Sequence, residues 1–347
     1  MQFYTLKITK LYYETNDAIT VSFKQPGLKF IKYSPGQYLT LIFRINGRRY
    51  IRPYSFSSAP EIDSTLDITV KRVPGGIVSN HILDKLRVGD MIEVMEPMGE
   101  FTLNNKLQDE NKHLVLWGAG SGITPLFSLA KYALYKKLYN HITLVYGNRN
   151  AESVIFNNQI NELKEKYSDL LSTWHFYTQA VINQSNPYLI QGRINPKIVL
   201  AVMANEGELN NTVHYICGPG GLKESIVKVL TNLGVKKEHI FTEDFELIRD
   251  PKEFENIITR VVTVKKSGQE HLVEVAKGKS ILEASLNALI ELSYSCQTGN
   301  CILCKAKLLK GEVKTIGLQK IPPLLNTDEC LLCCSYPLDD NVEVLVE

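Results

Sequence analysis

Three cysteines, Cys296, Cys301 and Cys304, stand in the spacing C-x4-C-x2-C, and Cys330, Cys333 and Cys334 follow in ECLLCCSYP. Six of the seven cysteines therefore fall in the last 52 residues of a 347-residue chain. Thiols gathered this densely in a reducing compartment bind metal more readily than they form disulfides. Two metals compete for them. Structural zinc favours two short C-x2–4-C knuckles joined by a spacer. A [2Fe–2S] cluster of the plant type favours C-x4-C-x2-C with one further cysteine at a distance, and this chain has that pattern. Gly299 lets the loop turn backbone amides toward sulfur, and such hydrogen bonds help to set the potential.

A second set of residues is suited to phosphate. WGAGSGITPLFSL, at 117–129, follows an apolar run and opens a helical one. Gly118, Gly120 and Gly122 permit tight turning, and a helix start offers free amides to an anion. The next apolar run ends in VYGNRN. A dinucleotide enzyme selects its ribose there, and Arg149 suits the 2′-phosphate of NADPH, with NADH the possible alternative. YICGPGG, at 215–221, is a third strand-to-helix junction and puts Cys217 and Gly218 at a sheet edge. RPYSFSSAP, at 52–60, offers an arginine, an aromatic ring and hydroxyls. VKRVPGGIVSNHI, at 70–82, offers Lys71, two glycines and a serine before a short helix.

The elements around these residues have three textures. Residues 1–105 read as short β-rich runs (AITVSF, QYLTLIF, LDITVKRV, MIEVME) broken by Pro35-Gly36 and Asn46-Gly47, which predicts an antiparallel β-barrel. Residues 106–248 alternate apolar runs with helical stretches, which predicts an α/β domain on a parallel sheet that binds ligands at the strands' carboxyl ends. A charged, proline-bearing linker is expected over 249–258. Residues 259–347 hold a hairpin turning at Ser267-Gly268, a short amphipathic helix, the cysteine loop and a final strand, an α+β domain.

Composition fits this division. The chain is 44% hydrophobic and 22% charged, with a net charge of +2, so it can bury cores and has no broad nucleic-acid footprint. No apolar run reaches the ~20 residues of a membrane span, and the amino terminus alternates like a strand, so a cytoplasmic protein is expected.

SYSCQTGNCILCKAK followed by LLCCSYPLDD resembles the β-grasp domain of plant-type ferredoxins. In that family two residues separate the fourth cysteine from a Tyr-Pro pair, which selects Cys333. The usual interval from Cys304 selects Cys334 instead. Ile302 occupies a position that is usually small. RPYSFSS, VKRVPGGIVSN, GAGSGITP, GNR and YICGPGG occur in the order of the ferredoxin–NADP reductase superfamily, and the resemblance covers nearly the whole chain. It implies FAD held by Arg52, Pro53, Tyr54, Ser55 and Lys71, with Gly75, Gly76, Val78 and Ser79 at its pyrophosphate. It implies the nicotinamide nucleotide on Gly118, Gly120, Gly122 and Thr124. Cys217 would then lie beside the nicotinamide ring, and Glu243 and Phe245 near the flavin. Ser55, Cys217 and Glu243 are the expected catalytic residues. Cys296, Cys301, Cys304 and Cys333 are the expected iron ligands. The domain order resembles reductases that feed non-haem iron oxygenases, such as those of phenylacetyl-CoA epoxidases in phenylacetate breakdown. A hydroxylase, a desaturase or a separate ferredoxin is an alternative acceptor, and a zinc-stabilised nucleotide-binding module is the rival class.

Overall fold

The structure is a computed structural model that describes all residues except 28, 180–188, 206–208, 248, 319–320 and 347; residue 248, in the stretch read as nucleotide domain and linker, lies outside the described residues. Contacts group the chain into two units. The first comprises Met1–Ile42 with Tyr54–Asp244, and the second comprises Phe43–Pro53 with Phe245–Glu347.

The amino-terminal strands form an antiparallel sheet in the order Arg48–Ser55, Tyr38–Ile45, Met91–Met98, Phe3–Thr15, Ala18–Lys24, Thr65–Lys71. Phe56, just past the first of these strands, bridges Ile68 in the last, so the sheet curls back on itself as a barrel must. Asn46 and Gly47 both have positive φ, the twist that suits a two-residue hairpin.

The second sheet is parallel, in the order Leu189–Gln191, Leu171–Tyr177, Tyr139–Asn148, Asp109–Ala119, Thr212–Cys217, Ile240–Glu243. Alternation along the strand Asp109–Ala119 builds both cores. Leu114 and Leu116 pack with Ile123, Leu126 and Ile160 on one face. Val115 and Trp117 pack with Val199, Val202 and Ile226 on the other. Strand order reverses between Asp109–Ala119 and Thr212–Cys217, so a crevice opens at the carboxyl ends of those two strands.

Within the strand Thr212–Cys217, His214 is fully buried. Trp117 donates to its Nδ1 (3.1 Å), and its Nε2 lies 2.9 Å from the Thr212 hydroxyl. Burial pushes its pKa down to about 3, and burial pushes His175 down to about 4. A histidine whose folded pKa is depressed stabilises the fold above its unfolded pKa of about 6.5 and loses that contribution as pH falls. Each of the two should remove on the order of 2 kcal/mol between pH 7 and pH 5. His214→Gln keeps an amide donor and acceptor but cannot titrate. Its urea midpoint should fall less over that interval than the unaltered chain's, and equal falls would refute the assignment.

The second unit carries a mixed sheet, Gln269–Val275, Arg260–Lys266, Glu343–Val346, Lys305–Lys310, Glu329–Leu331, in which only the pair Arg260–Lys266 and Glu343–Val346 is parallel. Its helix Ile281–Asn287 starts with a capping box: Glu283 N–H donates to Ser280 Oγ, and Ser280 N–H donates to Glu283 Oε2 (2.8 Å). One helix on a mixed sheet is the β-grasp arrangement. The stretch read as a linker is packed into this unit. Ile257 is buried, Phe254 meets the Tyr336 ring edge-on at 5.1 Å, and Lys314 Nζ donates to the Glu253 carbonyl.

Candidate cofactor and cluster sites

The glycine loop at the crevice is fixed by how closely two strands approach. Gly118 is in register with Cys217. A Cβ on Gly122 would stand 2.2 Å from the Cys217 carbonyl oxygen and 2.8 Å from Gly218 Cα. Gly120 takes a left-handed φ of 54°, and its carbonyl accepts from the Tyr146 hydroxyl (3.0 Å). The helix Ile123–Lys136 that follows has no side-chain cap and no acidic residue in its first turn, so its leading amides fit an anion. Thr124 is buried, and its hydroxyl donates to the Ser121 carbonyl, inside the loop.

Cys217 ends its strand beside Glu243, its register partner, and is 1% exposed. Burial, then Glu243 and Asp244, pushes its thiol pKa well up, so it stays protonated. That environment suits an apolar wall and not a nucleophile. Lys223 forms an ion pair with Asp244 at the same edge. Gly218 turns the chain away, where a Cβ would meet Leu222. Phe245 is exposed and is the first residue of the carboxyl-terminal segment of the second unit.

On the barrel strand Arg48–Ser55, Ser55 is buried, Tyr54 and Pro53 are half-buried, and Arg52 Nη1 donates to the Ile51 carbonyl (2.8 Å). The strand Thr65–Lys71 delivers Lys71, which leads into the turn before the helix Ile77–Lys85. Gly75 has φ 71°, and a Cβ on Gly76 would fall 2.7 Å from Ser79 Oγ. Ser79 Oγ accepts from Val73 N–H (3.1 Å) and holds that turn. Val78 and Ser79 are buried, and the helix start carries neither a side-chain cap nor an acid. An open helix start on a glycine turn fits the pyrophosphate of FAD.

The cysteines stand as two pairs. Cys301 N–H and Thr298 N–H donate to Cys296 Sγ (3.3 and 3.4 Å), and Cys296 N–H donates to Cys301 Sγ (3.5 Å). The Cys301 thiol, and then the groups of Thr298, hold the Cys296 thiol below its ordinary pKa. The neighbouring Cys333 thiol, and then burial, push the Cys304 thiol well up. Among the described residues no three His, Cys, Asp or Glu side chains already converge on one point. Thiols in the C-x4-C-x2-C spacing with amides aimed at sulfur fit a [2Fe–2S] cluster. Cys334 Sγ lies 3.8 Å from Cys333 Sγ and 3.6 Å from the Leu331 carbonyl. Ile302 has φ 54°, a region that a β-branched residue seldom adopts, which explains why its place in the loop favours small residues.

Two partners had no signal in the sequence. Arg149 Nη2 donates to Asp17 Oδ2 (2.9 Å), and Lys71 Nζ is 3.8 Å from the same oxygen. Within the second unit, Tyr294 OH accepts from Ile51 N–H (3.2 Å). Each contact joins segments far apart in the chain, and in each one partner, Asp17 or Ile51, lies outside the motifs.

Comparison with known proteins covers all three regions. Residues 5–103 match an oxidoreductase FAD-binding domain, residues 116–228 an oxidoreductase NAD-binding domain, and residues 264–338 a 2Fe-2S iron-sulfur cluster binding domain. The chain is 30% identical to a component protein of the 1,2-phenylacetyl-CoA epoxidase of Escherichia coli (strain K12), over 99% of this chain and 97% of that protein. It is 30% identical to the ferredoxin reductase component of 3-ketosteroid-9-alpha-monooxygenase of Mycobacterium tuberculosis, over 98% and 94%. It is 27% identical to the glycine betaine monooxygenase reductase subunit of Chromohalobacter salexigens, over 96% and 93%. The fold matches phthalate dioxygenase reductase with a TM-score of 0.67 at 23% identity, over 99% of this chain and 98% of that one. Two paired sets of thiols, an uncapped helix start on the barrel and a glycine loop at a switch point thus sit in the three matched regions, and the chain belongs to the ferredoxin–NADP reductase type of oxidoreductase that carries a [2Fe–2S] ferredoxin domain.

Proposed function

We propose that this chain is the reductase component of a non-haem iron oxygenase system. It takes electrons from NADPH, with NADH as the weaker donor, and delivers them singly to a protein acceptor in the cytoplasm. The epoxidase component is the relative that best suggests the oxygenase, so a system for phenylacetyl-CoA is the first to test. The observation that carries the reading is the cysteine loop with backbone amides aimed at sulfur, in a chain that also has FAD-, NAD- and 2Fe-2S-binding domains. Domain limits of 1–105, 106–248 and 259–347 follow from the same reading.

FAD, when bound, accepts electrons in pairs, and a [2Fe–2S] cluster passes them one at a time. The chain's residues supply place and surroundings. The glycine loop at Gly118–Gly122 and the helix start after it hold the nucleotide's phosphates, and Arg149 takes the 2′-phosphate. Cys217, kept neutral and buried, gives the nicotinamide ring a flat, dry wall beside Glu243. The start of the helix Ile77–Lys85, with Lys71, Gly75, Gly76, Val78 and Ser79 around it, would hold the flavin's pyrophosphate, and Arg52 is read as an FAD residue from its motif alone. Tyr54 would cover the flavin ring, Pro53 stiffens the strand that carries it, and the Ser55 hydroxyl would be its hydrogen-bond donor. Cys296, Cys301, Cys304 and Cys333 would hold the cluster's irons. No general acid or base is needed for hydride transfer.

The test is an ultraviolet–visible spectrum of the purified chain with iron, sulfide, zinc and flavin assays on one sample. Flavin bands with a red-brown shoulder, two irons and one FAD per chain are expected. A colourless, zinc-containing chain without flavin would overturn the proposal.

A further inference from the structure

Arg149 is already occupied. Its Nη2 donates to Asp17 Oδ2 at 2.9 Å, and Lys71 Nζ lies 3.8 Å from that oxygen. Lys71 also stands 3.9 Å from where a Cβ on Gly120 would be, so the three charges gather over the glycine loop, all within the first unit. Asp17 is held in place from several sides. Thr15 Oγ1 donates to Asp17 Oδ1 (2.9 Å), Asp17 N–H donates to Thr15 Oγ1 (3.3 Å), and Arg72 N–H donates to the Asp17 carbonyl (2.7 Å). A fixed carboxylate between two cations, beside a phosphate-binding loop, has a consequence for any anion that arrives there.

We propose that Asp17 is a specificity-determining residue: its carboxylate competes with the 2′-phosphate of NADPH for Arg149 and so sets how strongly the chain prefers NADPH to NADH. The inference rests on the reading of Arg149 as the 2′-phosphate residue. A phosphate that meets Arg149 must displace Asp17 or lie beside a second anion, and both weaken its binding. NADH carries no phosphate at that point, and its binding is indifferent to the pair. Asp17 therefore narrows the preference that Arg149 creates.

The test measures binding to the oxidised protein, not turnover. Dissociation constants are taken by calorimetry for adenosine 2′,5′-bisphosphate and for AMP, which lacks the 2′-phosphate. The variants are Asp17→Asn, Asp17→Ser, Arg149→Ala and the Asp17→Asn/Arg149→Ala pair, each checked by its melting curve without ligand. The serine variant covers the case in which asparagine still accepts from Arg149. A pair this exposed is worth up to about 1 kcal/mol, so either Asp17 variant should tighten the bisphosphate by about fivefold and leave AMP within about twofold. Arg149→Ala should weaken the bisphosphate alone, and Asp17→Asn should add nothing in that background.

If Arg149→Ala weakens the bisphosphate while both Asp17 variants leave it unchanged, the inference falls and the reading of Arg149 stands. If Arg149→Ala leaves the discrimination intact, the reading of Arg149 falls and takes the inference with it. If Asp17→Asn tightens binding equally without Arg149, the carboxylate acts on another cation and the proposed competition is refuted.

Discussion

Gly122→Ala should abolish nucleotide use while leaving both redox groups in place. The added Cβ would stand 2.2 Å from the Cys217 carbonyl oxygen, 2.5 Å from its carbon and 2.8 Å from Gly218 Cα. All three are backbone atoms, so no side chain can rotate away. The strands they belong to are locked in register at Gly118 and Cys217. The loop and the start of the helix Ile123–Lys136 must move instead, and that start presents the phosphate-binding amides. A misplacement of about 1 Å can cost about 10²-fold, so NADP⁺ affinity and the rate of reduction by NADPH should fall at least that far. FAD, iron and sulfide contents should not change, and dithionite should still bleach the spectrum. Gly220→Ala is the control, because a Cβ there meets nothing within 4 Å and its φ is not left-handed. Normal NADP⁺ binding by the Gly122→Ala chain would show that the crevice is not the nucleotide site.

The same glycine shows what a sequence conveys and what it hides. GAGSG is legible as a turn before a helix, because glycine spacing is local. The demand that position 122 carry no Cβ is imposed by Cys217, which only the parallel sheet brings near. Cys217 is legible from its own turn signal, yet its register against Gly118 and Glu243 is a property of the sheet. The cysteine loop reads well for the opposite reason. Its three thiols and the amides of Thr298 and Cys301 lie within a few residues of one another, so spacing alone fixes most of the geometry. Asn46-Gly47 and Ser267-Gly268 read well too, since a left-handed turn is a two-residue event. Proline and charge suggest an open linker, but Ile257 and Phe254 are apolar residues that tertiary contacts bury. Asp17 is not legible at all. Nothing about an aspartate in a tight turn announces a partner in a different sheet.

Cys333→Ser should destroy the cluster, and Cys334→Ser should spare it. The two sulfurs lie 3.8 Å apart, and Cys334 Sγ stands 3.5 Å from where a Cβ on Gly299 would be, so the thiols are told apart by their other neighbours. Cys333 is the neighbour that pushes the Cys304 thiol up, which makes it the second pair's other member. Cys334 is fully buried and directs its thiol toward the Leu331 carbonyl at 3.6 Å, where it acts as a donor. A donor to a carbonyl must keep its proton, whereas an iron ligand must lose it. Ser335 Oγ donates to the same carbonyl (2.8 Å), so the turn survives removal of the Cys334 thiol. In Cys333→Ser the red-brown absorbance and most of the iron and sulfide should be lost, and reduction of a one-electron protein acceptor should drop by about 10²-fold or more. Reduction of the flavin by NADPH should persist, because that step needs only the crevice and the barrel. In Cys334→Ser two irons should remain and turnover should stay within about twofold, with at most about 1 kcal/mol of stability lost with one weak hydrogen bond. The reverse pattern would move the fourth ligand to Cys334.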